Sequence, residues 1–126
     1  MLARGIKAVE MSEDHKPDNV GELKRIEAAG GFVEDGRVRG ILSLSRALGD
    51  MEYKMNHKIG VEAQMITCVP EIRKEAISAD DKFMIIACDG IWDCLTSQGC
   101  IDLMHKSIKS RKTGENSSKV VCDMFD

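Results

Sequence analysis

Apolar and polar residues along the chain follow patterns that predict short strands in separate runs. Residues 6–11 alternate between apolar and polar side chains, as a half-buried strand does, and the charged stretch 13–17 ends the alternation. Asp35 and Gly36 stand between β-forming residues, which predicts a tight hairpin over residues 32–38. Further strand candidates are residues 41–45, 66–69 and 72–77.

Two segments repeat apolar residues every three or four positions and predict helices. Residues 20–29 form the first, and the glycines at 30–31 are placed to end it as a C-terminal cap. Asn19 and Glu22 have the spacing of a capping box at its start. Thr96 begins the second helix as its N-cap. These elements together indicate a fold that mixes helices and strands.

The longest apolar run, residues 83–88, ends in two carboxylates. It is too short for a helix and too apolar for an exposed loop, so we predict a strand buried on both faces. Asp89 and Asp93 follow at its exit, where a rigid strand would hold them in place. Carboxylate oxygens are ligands that Mg²⁺ and Mn²⁺ prefer. An alternative is that Asp89 belongs to a simple turn and that Asp93 caps the segment after it.

Composition narrows the classes of protein and partner. The chain has 126 residues, 43% of them hydrophobic, enough for one domain with a modest core. A net charge of −3 provides no basic field for nucleic acid or for an anionic membrane. The five cysteines include no C-x-x-C pair, which favours free thiols in a reducing compartment. Without an apolar span or a signal peptide, we expect a cytoplasmic or nuclear protein.

Five segments in order resemble the protein phosphatase 2C-like family, the metal-dependent PPM-type serine/threonine phosphatases. They are SEDHKP (12–17), RIEAAGG (25–31), GRVRGILSLSRALGD (36–50), VPEIR (69–73) and FMIIACDGIWDCL (83–95). The resemblance implies an α+β fold in which a β-sandwich is flanked by helices, the αββα architecture. Residues 1–126 would be an incomplete, C-terminal part of that catalytic domain, because the family's DGH and GDSR motifs do not occur in the sequence. The family's closing DN motif is also missing, since the one Asp-Asn pair, at residues 18–19, lies near the start of the chain. We expect the chain to start in mid-domain and to end before the final strands, with a polar linker at 109–119 and residues 120–125 opening a last helix.

The resemblance also implies a site. In that family two or more divalent cations, Mg²⁺ or Mn²⁺, hold a bridging water that attacks the phosphorus of phosphoserine or phosphothreonine. Asp89 matches a metal ligand of the family, and Asp93 matches an aspartate that binds an additional, weaker metal in many members. Arg37 matches an arginine that contacts substrate phosphate, although a plain surface arginine would also explain it. An irregular flap near the family's active site corresponds to residues 51–64.

Two neighbouring features of the resemblance favour structure over catalysis. Arg46 and Asp50 match a family hallmark, and we interpret them as a buried ion pair or a hydrogen-bonded turn. His15, in a turn with Pro17, is interpreted as structural. No residue of this chain is therefore assigned as a catalytic acid or base.

The function implied is that of a protein serine/threonine phosphatase with phosphoprotein substrates, monomeric when full length. The 126 residues alone are expected to be inactive, since one or two metal aspartates cannot hold a binuclear site. The alternative is a non-catalytic relic of such a phosphatase that acts as a binding or regulatory module. We expect the first, because the resemblance implies that the chain starts inside a strand and ends inside a helix.

Overall fold

The computed structural model describes residues 1–110, which contain five short strands, three α-helices and two 3₁₀ turns at Met51–Tyr53 and Val61–Ala63. These residues fall into two compact units: a first unit of residues 1–12 and 73–110, and a second unit of residues 13–72. None of the helices in this described range is long and apolar enough to cross a membrane. The predictions for residues 111–119 and for a helix at 120–125 lie outside the described residues. The elements are β1 Leu2–Arg4, β2 Lys7–Val9, α1 Val20–Ala28, β3 Val33–Glu34, β4 Arg37–Val38, β5 Asp81–Met84, α2 Asp89–Trp92 and α3 Ser97–Ser110.

The first unit is a three-stranded antiparallel sheet packed against helices. Its strand order is β2-β1-β5, with Ala3 opposite both Ala8 on β2 and Phe83 on β5. A positive φ of 61° at Gly5 allows the turn between β1 and β2. The apolar core of this unit joins the sheet to α2 and α3 through Met1, Ala3, Cys100 and Ile101, with Phe83, Ile85, Ile91, Trp92 and Leu95 packed around them.

The apolar run 83–88 is not a strand buried on both faces. Strand β5 begins earlier, at Asp81, and ends at Met84, although the next residue, Ile85, still exchanges backbone hydrogen bonds of 2.9 and 3.1 Å with Met1. Ile85 packs on the core, whereas Met84 is 58% exposed and Ile86 is 88% exposed. The reason is that side chains alternate along extended backbone, and the described residues cover one side only.

Helix α1 of the second unit ends as its sequence predicts but begins differently. The N–H of Gly31 donates to the carbonyl of Ile26 and that of Gly30 to Glu27, with φ +90° at Gly30, which is a Schellman cap. At the other end no side-chain cap forms, because Asn19 donates to the carbonyl of Asp14 instead. The predicted capping box is therefore wrong, since Glu22 turns into the core.

The predicted hairpin is present, and three other predicted strands are not. Strands β3 and β4 pair across Asp35 and Gly36, whose φ values of 50° and 69° suit a two-residue hairpin turn. Residues 41–45 and 66–69 each contribute one isolated bridge, and residues 72–77 form no regular element and are exposed. A second apolar core lies in this unit, formed by Ile26, Val38, Tyr53, Met65 and Ile66.

Candidate metal site and a buried polar network

A short helical turn presents both predicted metal aspartates. Asp89 is the first residue of α2 and Asp93 is its C-cap, and the N–H of Asp93 donates to the carbonyl of Asp89 at 2.8 Å. Trp92 anchors this turn from the inside, because its indole N–H donates to the carbonyl of Ala87 at 3.0 Å and its ring packs on the core. Both aspartates are exposed. The fold thus fixes the backbone of the turn and leaves its two carboxylates at the surface.

The two carboxylates suit a hard cation in chemical type, and they lie one helical turn apart in sequence. Within residues 1–110, however, no group of three His, Cys, Asp or Glu side chains is placed to hold a metal ion. Residues 1–110 by themselves therefore do not provide a complete metal site. The assignments of Asp89 and Asp93 remain predictions.

The alternative role of Asp93, as the cap of the segment that follows it, is filled by Thr96. Thr96 accepts a hydrogen bond from the N–H of Gly99 at 3.1 Å and so caps α3, as its sequence predicts. Asp93 precedes this cap and ends α2 instead.

Arg37 lies in the second unit, on strand β4, and is exposed. Its guanidinium Nη1 donates to the carbonyl of Ile41 at 2.9 Å. Because this partner is a carbonyl and no carboxylate binds Arg37 within residues 1–110, its positive charge suits contact with an anion. Its role toward substrate phosphate stays a prediction.

A buried carboxylate, which the sequence analysis assigned only to a capping box, organises the second unit. Glu22 is 5% exposed, and its oxygens lie 2.6 Å from Arg46 Nη2, 2.6 Å from Arg25 Nη1 and 2.7 Å from Ser45 Oγ. Burial alone would raise the pKa of Glu22, but the hydrogen bonds from these three side chains outweigh it and lower the pKa to about 2. The same contact raises the pKa of Arg46.

Of the two interpretations of Arg46 and Asp50, the ion pair between them is therefore wrong. Arg46 pairs with Glu22, whereas Asp50 is exposed and adopts a left-handed backbone with φ +48°. One signal in the sequence could have identified Glu22. It lies four residues before Ile26, on the helical face that Ile26 buries.

The predicted irregular segment 51–64 is tied down by polar side chains. Gln64 accepts from the N–H of Asn56 and donates to the carbonyls of Asn56 and Ile59. Lys54 donates to the carbonyl of Ala47 at 2.7 Å, which links the start of the segment to the preceding loop. We call the hydrogen bonds of Gln64 to residues 56–59 the Gln64 clasp.

His15 contacts Glu71 in the second unit, with 3.0 Å between Nε2 and Oε2. Its backbone carbonyl also accepts a hydrogen bond from Ser45 at 2.5 Å, so the turn that carries His15 joins the Glu22 network. These contacts agree with the structural interpretation of His15.

One ion pair of the first unit matters for pH dependence. Arg4 binds Asp81 at 2.8 Å and Glu75 at 2.9 Å. The hydrogen bond from Arg4, helped by the N–H of Ser78, lowers the pKa of Asp81 to about 2.

Comparison with known proteins places these features in context. Residues 1–124 match the family model described as Protein phosphatase 2C. The chain is 52% identical over 123 residues to Protein phosphatase 2C homolog 2 of Saccharomyces cerevisiae, covering 96% of this chain and 26% of that protein. It is 44% identical over 123 residues to Protein phosphatase ppm-1.G of Caenorhabditis elegans, covering 98% of this chain and 25% of that protein.

A solved structure gives the same picture for the fold. The crystal structure of a phosphatase from a pathogenic strain of Toxoplasma gondii matches with a TM-score of 0.74 and 31% identity, covering 94% of this chain and 36% of the other. The mixed helix and strand fold expected from the sequence is thereby confirmed as part of such a domain. The chain spans about a quarter of the length of the two curated relatives.

Proposed function

Because the chain belongs to the protein phosphatase 2C family, we propose that it is part of the catalytic domain of a metal-dependent protein serine/threonine phosphatase. The observation that carries the proposal is the match to the family model over residues 1–124, supported by relatives that are themselves named protein phosphatases. The proposal concerns the complete protein that contains these residues, since the chain spans only a quarter of those relatives. Its substrates would be phosphoproteins carrying phosphoserine or phosphothreonine. We expect that protein to act as a monomer in the cytoplasm or nucleus, without nucleic acid or membrane.

Three residues have roles in this proposal. Asp89 would be a ligand of Mg²⁺ or Mn²⁺, Asp93 a ligand of a further cation, and Arg37 a contact to substrate phosphate. When bound, such cations neutralise phosphate charge and activate a water. What the chain itself contributes is a fixed backbone turn, held by the indole of Trp92, that sets the Asp89 carboxylate at the surface.

The proposal is tested on the complete protein as made in its cells. We expect Mn²⁺-dependent release of phosphate from a phosphoserine peptide, and Asp89→Asn to weaken Mn²⁺ binding, measured by calorimetry, by at least about tenfold. Asp18→Asn is the matched control, because Asp18 is an exposed aspartate of the second unit. Equal Mn²⁺ affinity in all three proteins would remove Asp89 from the site.

The 126 residues alone are expected to show no Mn²⁺-dependent hydrolysis. The supporting observation is that residues 1–110 bring no three metal-binding side chains together. The same observation favours the second candidate, a non-catalytic binding or regulatory module. A complete protein that binds phosphopeptides but never releases phosphate would support this second candidate. Turnover by the 126-residue chain would contradict the second candidate and the expected inactivity of the chain alone.

A further inference from the structure

Arg39 adopts a backbone conformation that arginine rarely takes. Its φ is +52°, and Gly40 follows with φ +70°. A side chain with a Cβ is disfavoured in this left-handed region, which glycine and asparagine tolerate best. Such outliers gather at functional sites, where the surroundings hold them in place. The N–H of Arg39 donates to the carbonyl of Phe32 at 2.9 Å, and this bond helps to hold the conformation.

The guanidinium of Arg39 is also held by an aromatic ring. Its Cζ lies 5.5 Å from the ring centroid of Tyr53, which is 6% exposed and part of the second core. Stacking on a ring uses the flat face of the guanidinium and leaves the N–H groups at its edge free to donate. A guanidinium held this way loses less freedom when it binds an anion than a mobile one does.

Arg39 differs from several other arginines in the charge around it. Arg4, Arg25 and Arg46 each bind a carboxylate, whereas Arg39 forms no salt bridge within residues 1–110. Arg37 also lacks a carboxylate partner in that range. The two arginines stand on either side of buried Val38. The exposed carboxylates of the same hairpin, Glu34 and Asp35, form no salt bridge with either arginine within residues 1–110.

We propose that Arg39, stacked on Tyr53, selects phosphoprotein segments that carry a second anionic group near the phosphate held by Arg37. This inference rests on the proposed function for the phosphoprotein substrate. The second group can be a carboxylate or another phosphate, because both accept two parallel hydrogen bonds from a guanidinium edge. Arg39 thereby acts on substrate choice and takes no part in the chemical step.

The test uses the complete protein and three phosphoserine peptides, flanked by alanines, by aspartates, or by a second phosphoserine. We expect kcat/KM for the two acidic peptides to exceed that for the alanine peptide by about tenfold or more. Arg39→Asn should abolish this preference and leave the alanine peptide within about twofold. Asparagine suits the left-handed backbone, so the variant removes the charge without adding strain. Lys24→Asn, at an exposed lysine of the same unit, is the matched charge control.

A binding measurement separates this inference from the proposed function. Fluorescence anisotropy with the same peptides in EDTA reports affinity without turnover, so it applies even if the complete protein hydrolyses none of them. Tighter binding of the acidic peptides that is lost in Arg39→Asn and kept in Lys24→Asn supports the selection. The same preference in wild type and Arg39→Asn, or no preference in wild type, overturns it. The aspartate and phosphoserine arms identify which anion is selected.

Discussion

Glu22 is a single buried carboxylate that pairs with two arginines and a serine of the second unit. It accepts hydrogen bonds from Arg25 on its own helix and from Arg46 and Ser45 in the loop that follows β4. A buried carboxylate is tolerated only when its oxygens are paired, and losing one charge leaves the arginines without their partner. The network therefore holds α1 against the loop through an interaction in which every member depends on the others.

Replacing Glu22 by glutamine should destabilise the second unit. We expect the free energy of unfolding to fall by about 3 kcal/mol, because two arginines lose a buried counter-charge. Urea unfolding followed at Tyr53, the only tyrosine of the chain, reads this unit. Glu27→Gln, at an exposed position on the same helix, should change it by less than about 0.5 kcal/mol. Equal effects of the two substitutions would contradict a role for the network.

Lowering the pH from about 4.5 to about 2 should lower the free energy of unfolding of the same unit. The pKa of Glu22 is about 2 in the folded chain against an ordinary 4.5, so the unfolded chain binds more protons between these values. Stability from Glu22 is thus complete above pH 4.5 and is lost as the pH falls toward 2, by about 3 kcal/mol in total. In Glu22→Gln the Tyr53 transition should depend less on pH in this range. An unchanged slope would show that Glu22 is not the titrating group.

The low pKa of Asp81 gives the first unit an acid dependence of the same sign. The only tryptophan, Trp92, lies in that unit and reports it separately. Glu22→Gln should therefore leave the pH dependence of the Trp92 signal as it is.

Two glycines of α1 and its cap make a matched pair at the level of the helix. Neither Gly21 nor Gly30 would bring an added Cβ within 4 Å of another group, so packing does not separate them. We expect Gly30→Ala to cost about 1 kcal/mol, because φ is +90° there, and Gly21→Ala to gain about 0.5 kcal/mol inside the helix. Urea unfolding at Tyr53 measures both. Changes of the same sign would show that the Schellman cap does not set the helix end.

Elements fixed by neighbouring residues were predictable, and elements fixed by distant ones were not. The hairpin at Asp35 and Gly36 and the cap at Gly30 follow from backbone preferences of those residues alone. The pairing of β5 depends instead on β1, a partner some eighty residues away in the sequence. The capping box failed for the same reason, because Glu22 found partners twenty-four residues on that no local rule anticipates.

The candidate site was likewise only partly predictable from the sequence. The sequence predicted Asp89 at the exit of a strand, whereas β5 ends at Met84 and Asp89 begins the short helix α2. Only the change of direction at Asp89-Gly90 was predictable from the residues there. A metal site also needs donors brought together from separate parts of a chain, and spacing along a sequence does not show which parts meet. The resemblance to a family therefore provided the assignment of Asp89.

At the scale of the molecule, some apolar side chains of the first unit are exposed to solvent. Met84 and Ile86 are 58% and 88% exposed, one residue away from Ile85, which packs on the core. A strand with an uncovered apolar side promotes association between molecules.

Met84→Thr combined with Ile86→Thr should lower self-association of the 126-residue chain. We expect less binding of an apolar dye and a smaller sedimentation coefficient at high concentration, with the Trp92 unfolding free energy unchanged within about 0.5 kcal/mol. Ile85→Thr is the control and should instead destabilise the unit by about 1–2 kcal/mol, because it places a hydroxyl in the core. Unchanged self-association in the double variant would rule out this surface as the cause.

The Gln64 clasp affects which substitutions and insertions the loop at residues 56–59 tolerates. One uncharged side chain satisfies backbone groups at Asn56 and Ile59, so both ends of the short loop are fixed from the inside. His57 and Lys58 lie between those ends and are exposed. Their identity is therefore free to vary while the frame around them stays closed, and closing a longer loop across a fixed gap costs little extra entropy. An affinity tag or a fluorescent peptide inserted between His57 and Lys58 should therefore leave the Gln64 clasp, and the two loop ends that it fixes, in place.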